Sequence, residues 1–381
     1  MALKLPWTFA RIGSISSKKI NRKLPGLIKP FGNWTVVWGP TVWKHPKSLD
    51  IEGPDNVWYV AYDDQNNTYI VAIAGTASTS PYDMAHEDYD VNSVVDLGAW
   101  IKTGLNGPFT PLSKVNDGDA AYISVGTAEG ITALLNTPSQ SSSLSGSTAL
   151  LGDFLEGLPA SSKIIFTGHS LGGALSPAVA TAWLNSMTKT NFPKTNASTY
   201  PSAGPSPGNA KFVALFEQTF AVPSNPSGYQ NWNVNLVNTL DIVPLACYTN
   251  GPMEKIPASF DGDSKVQTWL GNLVNQKMIP HANTSGVVYA PLTESTFMPT
   301  DSWPIKDPRV VALWLGDALL YEHTMEYKKY VGLQSNEEIF AHAAEESIEE
   351  LAAVWPVLKD VVRSAKAPKV IAAAEDEELG E

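Results

Sequence analysis

Gly168-His169-Ser170-Leu171-Gly172 sets a serine midway between two glycines, and a third glycine, Gly173, follows at once. A serine so placed is suited to covalent attack on an acyl carbon. Such a nucleophile sits at a sharp turn from strand to helix, where the backbone is strained and side chains on the flanking residues would collide with neighbouring elements. The turn lifts the hydroxyl clear of the sheet, and the helix N-terminus behind it favours developing negative charge. A serine hydroxyl is a weak nucleophile, so it needs a base, and the base needs an acid to orient it. On a turn of this kind the acid follows the serine in the chain and the histidine comes last. Asp241 fits the acid: it closes the apolar run 233–240 (NVNLVNTL) and precedes Ile242-Val243-Pro244. Of the six histidines, His45 and His86 precede the serine and His169 lies inside the turn, which leaves His281, His323 and His342. His323 falls between two helical runs, His281 in a proline-flanked loop and His342 on a late helical segment. Position favours His323 and leaves the other two open.

These residues need a scaffold that brings distant turns together. Lys163–Thr167 reads as a strand, Leu171–Met187 as a helix, Ser198–Ser202 as a strand, Asn209–Phe220 as a helix and Asn233–Leu240 as a strand. Such alternation implies an α/β fold with a mostly parallel central sheet flanked by helices. Upstream, 57–64 and 69–76 are rich in β-branched and aromatic residues and read as a hairpin about Gln65-Asn66-Asn67-Thr68. Residues 118–136 predict a helix, 137–147 a serine-rich linker, 246–306 a loop-rich stretch and 308–332 further helix. The irregular stretch 77–117 is long for a loop in a compact domain, which points to a job such as a lid. Within it Val94, Leu97 and Ile101 fall at i, i+3 and i+7, with Trp100 alongside, and predict one short amphipathic helix over 92–102.

Composition narrows the field. The 381 residues are 43% apolar and 17% charged, enough for a buried core and unlike a disordered chain. The net charge of −12 argues against a nucleic-acid partner. Residues 1–49 nevertheless hold nine of the 26 lysines and arginines and none of the 38 acidic residues, which reads as a solvated basic arm or, more sharply, as an attraction to anionic lipid. With one cysteine, Cys247, no intrachain disulfide can form. The N-terminal stretch lacks the apolar core of a signal peptide, and no run of 18 apolar residues could span a membrane. A cytoplasmic protein is therefore favoured over a secreted one. There is no H-E-x-x-H, cysteine pair or phosphate loop, and Asp83, Glu87, Asp88 and Asp90 lack EF-hand spacing, so neither metal nor cofactor is expected.

Five segments, in order, resemble the class 3 lipases, the fungal-type triacylglycerol lipase family with the α/β-hydrolase fold. They are Val71–Thr76 (VAIAGT), Ile165–Leu175 (IFTGHSLGGAL), Tyr200–Asn209 (YPSAGPSPGN, with Ala203 where the family has glycine), Val237–Pro244 (VNTLDIVP) and Glu322–Tyr327 (EHTMEY). The resemblance covers about residues 55–333 and raises His323 above the other histidines. It implies a Ser170–His323–Asp241 triad and oxyanion-hole N–H groups from Thr76 and Leu171. It also implies a mobile lid within 78–117, with Val94, Leu97, Trp100 and Ile101 as candidates to face a lipid–water interface. The substrate it implies is a lipid ester, triacylglycerol first. A feruloyl esterase, a phospholipase A1 or a hydrolase-fold binding scaffold without catalysis are the alternatives. The chain then divides into a basic arm packed on the body (1–54), an α/β-hydrolase lipase domain (55–333) and a helical extension with an acidic disordered tail (334–381). The chain departs from the secreted members of the family in having no disulfide, and its 78–117 and 246–306 segments are longer, which leaves the substrate pocket open.

Overall fold

The computed structural model describes residues 32–45, 55–76, 90–105, 107–115, 119–186, 192–221, 231–248, 251, 253–259, 264–299 and 321–332, together with 21, 24, 25 and 28. Expectations for 334–381, including His342, and for Asp83, Glu87 and Asp88, lie outside these residues.

The strands are β1 (Trp34–Trp43), β2 (Asn56–Asp63), β3 (Thr68–Ile73), β4 (Val94–Asp96), β5 (Tyr122–Ser124), β6 (Lys163–His169), β7 (Ala197–Ser202), β8 (Gly208–Asn209), β9 (Asn235–Asn238), β10 (Tyr289–Ala290) and β11 (Glu294–Phe297). Seven form the central sheet in the order β1-β2-β3-β6-β7-β9-β11, parallel from β3 to β11 and antiparallel from β1 to β3. The other four form a small antiparallel sheet, β10-β8-β5-β4. The main helices are α1 (Leu97–Lys102), α2 (Val125–Asn136), α3 (Leu171–Ser186), α4 (Ala210–Thr219), α5 (Ser264–Leu273) and α6 (Glu326–Tyr330). This is the α/β-hydrolase arrangement, with a mostly parallel sheet and helices against it.

Alternation along β2 and β3 builds two cores at once. Trp58, Val60, Val71 and Ile73 enter the main core with α2 and α3, while Val57, Tyr59, Ala61, Ile70 and Ala72 face the other side, against Leu24 and Ile28. A period of two sends neighbours to opposite faces, so a hairpin apolar throughout Val57–Ala61 and Ile70–Ile73 is covered on both. Helix α3 is buried along nearly its whole length, as befits a helix apolar all round.

Several elements differ from the sequence expectations. Part of the stretch read as a basic arm, Trp34–Trp43, is the edge strand β1. Residues 118–136 break into β5 and α2, because the Ser124 side chain accepts from the Thr127 N–H and caps the helix there. The loop-rich reading of 246–306 overlooked α5, a π-helical turn (Val274–Met278) and the sheet strand β11.

The expected lid helix over 92–102 is not formed. Val94 lies in β4, paired with β5, and only Leu97–Lys102 is helical, capped by Asp96. Leu97 and Trp100 are buried in the main core with Val95, Ile101 packs against it, and Val94 is buried beneath the small sheet. The Trp100 indole N–H donates to the Gly107 carbonyl, and its ring meets Phe109 edge-on at 5.5 Å. Exposing Val94, Val95, Leu97 and Trp100 together would cost roughly 6–12 kcal/mol. Lipid could take up those side chains, but it offers nothing to the freed N–H and C=O groups of the β4–β5 ladder. The i, i+3, i+7 spacing is real but is met by a buried strand followed by a buried helical turn. In this structure Val94, Leu97 and Trp100 are buried in core clusters, and Ile101 packs against one of them.

Candidate active site

The strand ends that converge on the site are those of β3, β6 and β9, at the carboxyl edge of the sheet where sites in parallel α/β folds gather. Ser170 stands between the end of β6 and the start of α3 with φ of 60°, a left-handed conformation that is uncommon for a residue with a side chain. Its backbone N–H donates to the Ser202 carbonyl at 3.1 Å, and its own carbonyl accepts from the N–H groups of Gly173 and Ala174. The flanking glycines are a steric necessity. A Cβ on Gly168 would lie 2.2 Å from the Gly172 carbonyl oxygen, and one on Gly172 would lie 2.4 Å from that of Ile73. Leu171 opens α3, so its N–H is among the first-turn donors without a partner inside the helix.

The segment that follows β3 and ends in Thr76 lies against this turn. A Cβ built on Gly75 would come within 2.7 Å of the His169 carbonyl oxygen and 3.2 Å of the Ser170 Cβ. Thr76, half-buried, thus follows directly on a residue packed against the His169 backbone and the Ser170 Cβ.

Asp241 is buried just past β9. Its Oδ1 accepts from the Val243 N–H at 3.0 Å, and its Oδ2 accepts from the Tyr327 hydroxyl and from His323 Nδ1, each at 2.8 Å. With Nδ1–H directed at the carboxylate, the other ring nitrogen of His323 is left to accept a proton. His281 lies in the short helix Ile279–Ala282, in the insertion between β9 and β11, and shares none of these hydrogen bonds. His323 stands on a π-helical turn, Tyr321–Met325, that runs into α6. Lys329 pins this turn from below. Its Nζ lies 2.6 Å from Glu326 Oε1, hydrogen-bonds the Tyr321 hydroxyl and sits 4.8 Å from the centre of that ring.

The rings of His169 and His323 lie with centres 4.6 Å apart and planes tilted by 38°, which brings His323 against the turn that carries Ser170. His169 Nδ1 shares a hydrogen bond with the Ser202 hydroxyl at 3.1 Å. Burial holds its pKa well below the ordinary value and the neighbouring His323 lowers it further, against an opposing hydrogen bond to the His323 backbone. His169 is thus a neutral ring beside His323. Burial, with Asp241 next, pushes the Tyr327 hydroxyl well above its ordinary value, so it stays protonated and donates.

Sequence reasoning marked Ser170, Asp241, His323, Leu171 and Thr76, and the structure gathers them at one sheet edge. It missed the supporting roles of Tyr327, Asn238 and Glu322. All three lie within the quoted motif segments, but nothing in those letters says what they touch. Among the described residues no cluster of three or more His, Cys, Asp or Glu side chains could hold a metal, and no helix is long and apolar enough to cross a membrane.

Residues 102–250 match the family model of the class 3 lipases, a span that includes Ser170 and Asp241 and ends before His323. Among solved structures, the chain is similar to M37 lipase, at 23% identity over 91% of this chain and 98% of that one, with a TM-score of 0.67. It also matches lipase II from Rhizopus niveus (19% identity, 62% of this chain and 72% of that one, TM-score 0.37). A third match is the Lip2 lipase from Yarrowia lipolytica (18%, 57% and 64%, TM-score 0.38). No curated protein matches. The likeness to M37 lipase is one of fold, and the stretch 102–250, with Ser170 and Asp241 in it, is similar to the class 3 lipases.

Proposed function

We propose that the chain hydrolyses lipid esters, triacylglycerol first among them, through an acyl-enzyme formed on Ser170. The observation that carries this reading is the 2.8 Å bond between His323 Nδ1 and a buried Asp241 carboxylate, on a ring whose centre lies 4.6 Å from that of His169, the residue next to Ser170. His323 takes the Ser170 proton as Oγ attacks the ester carbonyl, and Asp241 holds the ring and stabilises the imidazolium. The N–H groups of Leu171 and Thr76 receive the oxyanion. His323 then returns the proton to the leaving alcohol, and water repeats the sequence on the acyl-serine. No residue in this scheme selects the acyl chain or head group. The preference for triacylglycerol rests on family likeness.

The test has two arms. A fluorophosphonate probe should label Ser170, and S170A should lose labelling and about four orders of magnitude or more in turnover. Near-normal esterase activity in S170A would overturn the assignment. The purified enzyme should also hydrolyse emulsified triacylglycerol faster than phospholipid or feruloyl esters; preference for either of the others would identify a phospholipase A1 or a feruloyl esterase.

A further inference from the structure

Asn238, the last residue of β9, is fully buried and uses every polar group it has. Its backbone N–H donates to the Tyr327 hydroxyl at 2.9 Å, and its side-chain oxygen accepts from the Leu240 N–H at 3.1 Å. Its Nδ2 donates twice to Glu322, to the main-chain carbonyl at 2.9 Å and to Oε2 at 2.8 Å. One amide thus grips both backbone and side chain of the residue before His323. The N–H of the same Asn238 holds the residue four places after His323. Glu322 is itself buried, which is uncommon for a glutamate.

We infer that Asn238 and Glu322 are positioning residues for His323, forming a clamp that sets the distance between base and acid. The inference rests on His323 being the base. The bond from His323 to Asp241 cannot by itself fix the ring, because it leaves the backbone of the π-helical turn free to slide and rotate about one contact. The clamp supplies the missing constraints from the strand that ends beside Asp241. Acid and base are thereby referred to a single residue, Asn238, which also orders Leu240 on the acid side. Asparagine suits the position because it is an acceptor at one end and a two-hydrogen donor at the other. Aspartate would set a carboxylate oxygen against the carboxylate and carbonyl of Glu322. Leucine would fill the volume and leave the Leu240 N–H and the Glu322 oxygens without this partner.

The experiment compares E322L, E322Q and N238L with the wild-type full chain. It reads kcat and KM on a soluble ester, normalised to sites titrated by the fluorophosphonate burst, and the rate of labelling by the probe. E322L keeps the bulk and removes the acceptor. It should lower kcat and the labelling rate about 10- to 100-fold, the scale on which misplacement near 1 Å acts, with KM within about threefold. E322Q, whose amide oxygen can accept the same bond, should recover most of that loss. N238L, which removes that bond together with those to the Glu322 carbonyl and the Leu240 N–H, should fall at least as far as E322L, and the double variant should be no worse than N238L, which already lacks the bond that E322L removes. A role confined to stability would lower the yield of titratable sites and leave the rate per site unchanged, which overturns the inference. So would a loss confined to KM, or E322Q as slow as E322L. If N238L does not fold, E322L against E322Q decides alone. A wild-type chain that the probe does not label at Ser170 overturns the base assignment together with the clamp; a labelled wild type with variants at full rate overturns the clamp only.

Discussion

Around Ser170 the decisive contacts are backbone against backbone. Gly168 faces Gly172, Gly172 faces Ile73, and Gly173 faces Ser202 and Gly204, each at distances that no Cβ would survive. Around His323 the decisive contacts are side chains: Asp241, Tyr327, Asn238, Glu322 and Lys329, reached across 84 residues for Asn238 to Glu322 and 86 for Tyr327 to Asp241. The turn that holds the nucleophile is determined by what must be absent, and the turn that holds the base by what must be present. A region of the first kind tolerates no added atoms. A region of the second kind loses its function by degrees.

The sharpest way to break this contrast is to add one methyl group to the nucleophile turn. G172A would set a Cβ 2.4 Å from the Ile73 carbonyl oxygen and 2.7 Å from that of Ala74, both rigid backbone. It should destabilise the fold by on the order of 4 kcal/mol or prevent folding. Denaturant unfolding within about 1 kcal/mol of wild type would show that the turn gives way more easily than its contacts suggest.

On the base side the matching change removes one atom. Y327F deletes the hydroxyl that donates to Asp241 and accepts from Asn238, while its ring keeps its edge contacts with Phe297 at 5.2 Å and His169 at 5.1 Å. Turnover should fall about tenfold, with about 1–3 kcal/mol of stability lost from the stranded Asn238 N–H. Unchanged kcat would mean that the Val243 N–H and His323 hold Asp241 without help.

The smallest effect lies where the two regions meet and shows in stability against pH. His169 is held neutral in the folded chain and titrates near 6.5 when unfolded. Below that value the unfolded chain binds the extra proton, so stability is full above about pH 6.5 and falls as the pH drops. Glu294 acts in the opposite sense. Burial raises its pKa from 4.5 to about 7, so the folded chain holds the extra proton and stability falls as the pH rises through that window. The two slopes oppose each other below about pH 6.5, so H169Q should make stability at pH 5 rise relative to that at pH 7, and E294Q should make it fall. Urea midpoints between pH 5 and 8 would show it, and a wild-type acid slope retained in H169Q would remove His169 as its source.

How much of this was legible in the sequence follows the same division. Gly168, Ser170, Gly172 and Gly173 could be read directly, because the turn's steric demands fall on adjacent residues. The hairpin of β2 and β3 and the strands β6, β7 and β9 were readable from apolar runs between turns. Asp241 followed from its place at a strand end. His323 was separated from His281 by resemblance to a family, since a lone histidine carries no local signature. The clamp at Asn238 and Glu322 was not readable, because hydrogen bonds over such separations leave no periodicity. The misreading of 92–102 has another cause. Helical spacing of Val94, Leu97 and Ile101 says that they share a side, and cannot tell a face that covers a cleft from one that is buried between a second sheet and the core.

The acid and the base are 82 residues apart in the chain, and the insertion that carries α5 and β11 lies between them. The nucleophile turn, by contrast, is complete once β3, β6 and β7 have met. During synthesis, then, the serine can be set on its turn well before its base has left the ribosome. Long-range closures of this kind are slow to form relative to local structure. A chain stalled or clipped anywhere between 241 and 321 carries a shaped but unarmed centre. On the proposed triad such fragments would be inert toward esters, since the proposed base is the last of the three residues to be made.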